Sequence, residues 1–308
     1  MPSQIAVLIT HGMGSPDAGF ATGLIDRLRR RLGDRVASRV VFEPCHWSPI
    51  LQVHQDEIWQ RLTESGKPMD QKWARRWIVS ALGDPVGYLS GYMQNGAPVY
   101  LKVHECVRAS LERLATKLER ADETPLAVLA HSLGSVVVSN YLWNEQRASG
   151  EVVPASGSAT PAAAVEKRAA MGQTPFERME TLTTLVTYGS TIPLFLPPVT
   201  PLECVQLPRA TLPPQLRSVA RWLNVYDPDD LLGYPISAVW DDLKGTVIED
   251  IAINAGPFPL SETPLSHGFY DRDADFIKLV AAEIEKVLEV PDQGMPGVTG
   301  SWALPRAP

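Results

Sequence analysis

The sequence predicts an α/β fold, a mostly parallel sheet with helices on both of its faces. Three observations carry that expectation. Short apolar runs of strand length, such as Ile5–Ile9, Leu126–Ala130 and Thr181–Tyr188, are separated by longer stretches of helical periodicity. The two kinds of segment alternate along most of the chain, which is the signature of βαβ units. Several strand-like runs end in glycine- or aspartate-bearing turns, His11-Gly12-Met13-Gly14, Gly189-Ser190 and Asp227-Pro228-Asp229-Asp230 among them. In an open parallel sheet, such turns gather at one edge and form the ligand crevice.

In order, the first strand spans residues 4–10. Asp17 is placed to cap an amphipathic helix that carries Phe20, Leu24, Leu28 and Leu32 on one face. The second strand, from 39 to 44, runs into Cys45-His46-Trp47. Residues 48–96 do not read as a compact βα connection. Their broken helical segments hold Trp59, Trp73, Trp77, Tyr88, Tyr92 and Met93, which suggests a helical cap inserted above the sheet edge. A long helix is expected from about Pro98 to Arg120, with Val103, Val107, Leu111, Leu114 and Leu118 inward.

A strand, a turn with Ser132 at its tip and a helix to about Gln146 follow. Residues 148–175 open with an Ala/Ser/Gly/Pro/Thr-rich stretch of loop composition. Strands are expected at 181–188, 221–226 and 247–254, with a proline-rich excursion between the first two, and a last helix from Asp273 to Val290. The expected organisation is one domain over 1–290 with a poorly ordered tail at 291–308.

The chain has 308 residues, is 44% hydrophobic and 20% charged, and carries a net charge of −7. That balance suits a globular chain with an ample core and argues against nucleic acid as the main partner. Arg27-Leu28-Arg29-Arg30-Arg31 reads as the solvated face of a helix. The N-terminus lacks the basic region of a signal peptide, and no run approaches the roughly 18 apolar residues of a membrane span. The cysteines, Cys45, Cys106 and Cys204, show no metal or disulfide spacing. The expected location is the cytoplasm. No cofactor or metal is expected: the histidines lack HExxH spacing, and Gly12-Met13-Gly14 lacks the rest of a dinucleotide fingerprint.

The informative stretch is Leu126-Ala-Val-Leu-Ala-His131-Ser132-Leu133-Gly134-Ser135. A strand, a sharp turn and a helix in that order project a serine hydroxyl away from the sheet, and the helix N-terminus faces it with free N–H groups. Small residues flank the serine because two backbones pass close there, and Ala130 and Gly134 fill those places. A serine attacks a carbonyl only when a histidine takes its proton and a carboxylate fixes the tautomer of that histidine. The chain supplies Ser132, then carboxylates at 227–230, then His267, each just past an expected strand.

These residues resemble the α/β-hydrolase superfamily, serine esterase/lipase type, over roughly residues 4–290. His131-Ser132-Leu133-Gly134 is the elbow form common in lipases. Glu43-Pro44-Cys45-His46-Trp47, Asp84-Pro85-Val86-Gly87-Tyr88 and the acid loop are similar to intracellular phospholipases and GPI-inositol deacylases. The resemblance implies a triad of Ser132, Asp230 and His267, with Asp227 as the second candidate for the acid. It also implies an oxyanion hole made by the N–H groups of Met13 and Leu133.

His11 and His131 belong to the two turns, His46 is a candidate for the pocket wall, and His54 and His104 read as surface or core residues. The expected activity is hydrolysis of a carboxylic ester with an apolar acyl or alkyl group. Thioesterase, acyltransferase or amidase chemistry needs the same triad. A non-catalytic relative that binds a lipid or a protein, and a nucleotide-binding α/β protein, are the alternatives from other classes.

Overall fold

The computed structural model of the chain describes residues 3–89, 93–94, 97–151, 170–196, 204–240, 243 and 245–290. Its centre is a parallel six-stranded sheet with strand order β2-β1-β5-β6-β7-β8. The strands are β1 (Ile5–Thr10), β2 (Val40–Cys45), β5 (Leu126–His131), β6 (Leu182–Tyr188), β7 (Arg221–Tyr226) and β8 (Ile248–Ala252). β1 and β6 are buried along their whole length and β5 along nearly all of it, so they read as continuous apolar runs rather than alternating ones. A small antiparallel pair, β3 (Met93–Gln94) and β4 (Ala97–Pro98), lies outside this sheet.

Each face of the sheet is covered by helices. Leu24, Leu28 and Leu32 of α1 (Thr22–Ala37) and Phe276, Val280, Ile284 and Val287 of the last helix, α6 (Ala274–Leu288), share one apolar cluster with Ile5, Val7 and Ile9. Val103, Val107, Leu111 and Leu114 of α4 (Val99–Ala115) and Val136, Val137 and Tyr141 of α5 (Leu133–Ser149) build the opposite cluster against Ala6, Leu8 and Val128. Burial of each such aliphatic side chain stabilises the fold by about 1.5–3 kcal/mol.

Between β2 and α4 stand α2 (Ser48–Glu64) and α3 (Lys72–Leu89), which pack on each other. Tyr88 is core, whereas Trp73 is 78% exposed. The outer side of α3 presents Ile78, Leu82 and Val86 to solvent. Tyr92, most of the 148–175 stretch and the tail from 291 lie outside the described residues. Among the described residues, no helix is long and apolar enough to cross a membrane.

Two local expectations are corrected. Asp17 does not cap α1: its Oδ1 accepts the Gly19 N–H at 2.8 Å, which closes a turn, and α1 starts only at Thr22 with no side-chain cap. The nearby N–H two residues on wins over the helix end. The helix expected to reach Arg120 stops at Ala115, and Leu118 still packs on the core from the turns that follow.

The chain runs from β1 to β2 on one side and returns as β5 on the other. The turns after β1 and β5 therefore diverge at a switch point, where such sheets open a crevice.

Candidate active site

The turn after β5 is tight. Ser132 sits at φ 50°, ψ −124°, a backbone state that a non-glycine residue holds at a cost of about 1–3 kcal/mol. Its N–H donates to the Tyr188 carbonyl at 3.0 Å, and its carbonyl accepts the Ser135 hydroxyl at 2.5 Å. Gly134 is required by close approach: a Cβ there would lie 2.5 Å from the His11 carbonyl oxygen.

The structure brings Ser132, His267 and Asp230 together from three loops. His267 Nε2 is 2.9 Å from Ser132 Oγ, and His267 Nδ1 is 2.8 Å from Asp230 Oδ2. Asp230 also accepts the Leu232 N–H at 2.9 Å and the Tyr270 hydroxyl at 2.8 Å. Burial works against its charge. The hydrogen bond and charge of His267, with the Leu232 N–H and Tyr270 hydroxyl, outweigh burial and hold its carboxyl below the usual range.

Asp227 is engaged elsewhere. Its carboxylate accepts the N–H groups of Asp229 at 2.8 Å and Ala255 at 2.6 Å, tying the loop after β7 to the one after β8. Tyr270 joins the two acids, since its hydroxyl accepts the Asp227 N–H at 2.8 Å and donates to Asp230. Sequence reasoning missed Tyr270. Its signal was the spacing of three residues from His267 in a stretch that folds as successive 3₁₀ turns.

The turn after β1 closes over the serine. A Cβ on Gly12 would lie 3.1 Å from Ser132 Oγ and 2.5 Å from its Cβ, so only glycine fits. Ser132 is fully buried, with no exposed surface. The His11 ring accepts at Nε2 from the N–H groups of Trp47 (3.2 Å) and Ser48 (3.3 Å), so its proton is on Nδ1, which donates to the Gly12 carbonyl at 2.8 Å. A trans peptide then turns the Met13 N–H away from that ring. Leu133, the first residue of α5, has no carbonyl of its own helix to receive its N–H.

Burial lowers both turn histidines to about 3, so both are neutral. His131 Nε2 donates to the His267 carbonyl at 3.0 Å, and its ring stacks on Tyr188.

A cavity of about 200 Å³ reaches the triad at His267 and is lined also by Gly12, Met13, Phe20, Leu24 and His131. His46 does not line it; its Nε2 lies 2.9 Å from the Pro16 carbonyl. His104 is a satisfied core residue between Tyr88 and Asn144. The His54 side chain lies outside what is described. No group of three or more metal-ligating side chains occurs among the described residues. No protein-family model and no curated protein matches the sequence.

Proposed function

We propose that this chain is a serine hydrolase of the α/β-hydrolase type that cleaves carboxylic esters. The observation that carries the reading is the His267 imidazole, placed between Ser132 Oγ at 2.9 Å and Asp230 Oδ2 at 2.8 Å. These are the distances a proton transfer needs. The strand order, the strained serine turn and the chain order Ser, Asp, His support the same assignment.

Ser132 Oγ attacks the carbonyl carbon as His267 Nε2 takes its proton. The oxyanion is held by the N–H groups of Leu133 and Met13. His267 then returns the proton to the departing alcohol, leaving an acyl-serine, and water completes the cycle by the same path. Asp230 keeps the His267 proton on Nδ1.

The α2–α3 pair acts as a cap. The cavity favours a compact apolar group, because a cavity of about 150 Å³ already holds benzene. Thioesters and acyl transfer need the same groups. This reading keeps the expected cytoplasmic setting, in which Cys45, Cys106 and Cys204 would stay thiols.

The test is labelling with a fluorophosphonate, followed by mapping of the modified peptide. We expect stoichiometric modification of Ser132 in the wild type and none in Ser132→Ala or His267→Ala. The full burial of Ser132 favours a second reading, a non-catalytic relative with a sealed site. A folded wild type that stays unlabelled, with and without detergent to open the cap, would establish that second reading.

A further inference from the structure

Helix α3 contains Gly83-Asp84-Pro85-Val86-Gly87-Tyr88. Gly83 and Gly87 lie one turn apart, and a Cβ on them would meet Gln55 Nε2 at 2.9 Å and Leu51 Cδ2 at 2.7 Å. α2 is therefore seated against this face. Asp84 lies between the two glycines, 1% exposed. Its Oδ1 accepts from Gln55 Nε2 at 2.5 Å, and its Oδ2 leaves the helix pair to accept the Gly14 N–H at 2.6 Å.

No cation pairs with this carboxylate among the described residues. Burial pushes it up to about 6, even against the pull of its two donors. A neutral side chain would fill the seam between α2 and α3 without that burden. What the carboxylate does beyond filling space is grip the turn after β1.

That turn is held at two points. His11 Nδ1 donates to the Gly12 carbonyl at 2.8 Å, and Asp84 accepts the N–H of Gly14, whose φ is 97°. The peptide that carries the Met13 N–H is the one whose Gly12 carbonyl His11 holds, and the Gly14 N–H that Asp84 accepts is on the next peptide. The turn also runs close to Ser132, since a Cβ on Gly12 would lie 3.1 Å from Ser132 Oγ, so the setting of these two linked peptides governs where that N–H points relative to the serine.

We propose that Asp84 is a positioning residue for the reaction. From α3 it holds the Gly12–Gly14 turn in the orientation that presents the Met13 N–H to the oxyanion formed at Ser132. This rests on the hydrolase reading above. It makes the inserted helix pair part of the catalytic apparatus, because any displacement of α3 is transmitted to the oxyanion donor through one hydrogen bond.

The experiment compares wild type, Asp84→Ala and Asp84→Asn for hydrolysis of a short-chain chromogenic ester, fluorophosphonate labelling, thermal midpoint and hydrogen exchange of the peptide over residues 11–16. The amide of Asp84→Asn keeps an oxygen toward Gly14, and Gln55 can turn its Oε1, which has no partner among the described residues, to receive the new N–H. We expect Asp84→Ala to lower kcat by about tenfold to a hundredfold with KM within about twofold. Its thermal midpoint should not fall, and exchange around Gly14 should quicken. Asp84→Asn should restore most of kcat and slow the exchange again. A kcat for Asp84→Ala within about twofold of wild type overturns the inference, as does a loss that follows a falling thermal midpoint and is not restored by Asp84→Asn. A wild type that neither turns over ester nor labels instead fails the hydrolase reading, and the catalytic role of Asp84 fails with it.

Discussion

A neutral histidine stands at the head of each turn, His11 just after β1 and His131 at the end of β5, and the two turns meet across Ser132, but they are held in different ways. The turn after β5 is fixed from within the sheet and its loops. Ser132 N–H is bonded to the end of β6, Ser135 closes the turn locally, and His131 reaches the His267 backbone. The turn after β1 is fixed from outside, by backbone at Trp47 and Ser48 acting through His11 and by Asp84 of α3. One side of the site is therefore rigid once the sheet forms. The other depends on where an inserted helix pair sits, and it is the side that covers the serine.

The largest expected effects lie on the rigid side, where two acids of one loop differ in what they hold. Asp230→Asn removes the charge that fixes the His267 tautomer, and we expect turnover to fall by about 10³- to 10⁴-fold, with a loss of stability because the fold favours that charge. Asp227→Asn leaves that charge in place but weakens the bonds to Asp229 and Ala255, so about 1–3 kcal/mol of stability should go while turnover falls modestly. Steady-state kinetics and urea unfolding of both variants decide it. A reversed pattern would make Asp227 the acid.

The next contrast sets the turns directly against each other. In Gly12→Ala the new methyl meets the Ser132 side chain, so kcat should drop by about a hundredfold, and because the turn after β1 can shift to relieve the clash, stability should fall by less than in Gly134→Ala. In Gly134→Ala the methyl meets the His11 carbonyl, a backbone atom next to the end of β1, and the strain should appear as about 1–3 kcal/mol of lost stability. Equal stability losses in the two variants would remove the distinction between a rigid turn and an adjustable one.

Features encoded within one short segment were readable in the sequence. β1, β5, β6 and β7 announce themselves as apolar runs, and Ser132, Asp230 and His267 are each placed by the strand before them. Local competition misled the reading of Asp17, because a nearby N–H captures a side chain as well as a helix end does. Contacts set by the angle at which an insertion returns to the sheet left no local trace. Asp84 and Gly14 are 70 residues apart, and nothing at either position names the other. The covering of Ser132 is of the same kind, since it depends on how the two turns are juxtaposed rather than on either one alone.

The smallest effect tests whether the adjustable side carries a standing burden. Burial raises Asp84 from 3.8 to about 6 in the folded chain. Between those values the native state binds more protons than the unfolded one, so this group makes stability fall as pH rises. The loss is complete above about pH 6, where the shift corresponds to about 3 kcal/mol, and it is absent below about pH 4. Asp84→Asn removes the titration and weakens the bond to Gly14 by about 1 kcal/mol. The variant should therefore be more stable than wild type by about 1–2 kcal/mol at pH 8 and no more stable at pH 4. Other displaced groups, such as His11, His131 and Glu145, are common to both proteins and cancel in the difference. Urea titrations of the pair at pH 4, 6 and 8 measure it, and a difference that stays flat with pH would mean the carboxylate bears no such strain. A gap that opens with pH, together with slower turnover in the alanine variant, would be the pattern of a residue kept for its grip on the oxyanion turn at the expense of stability.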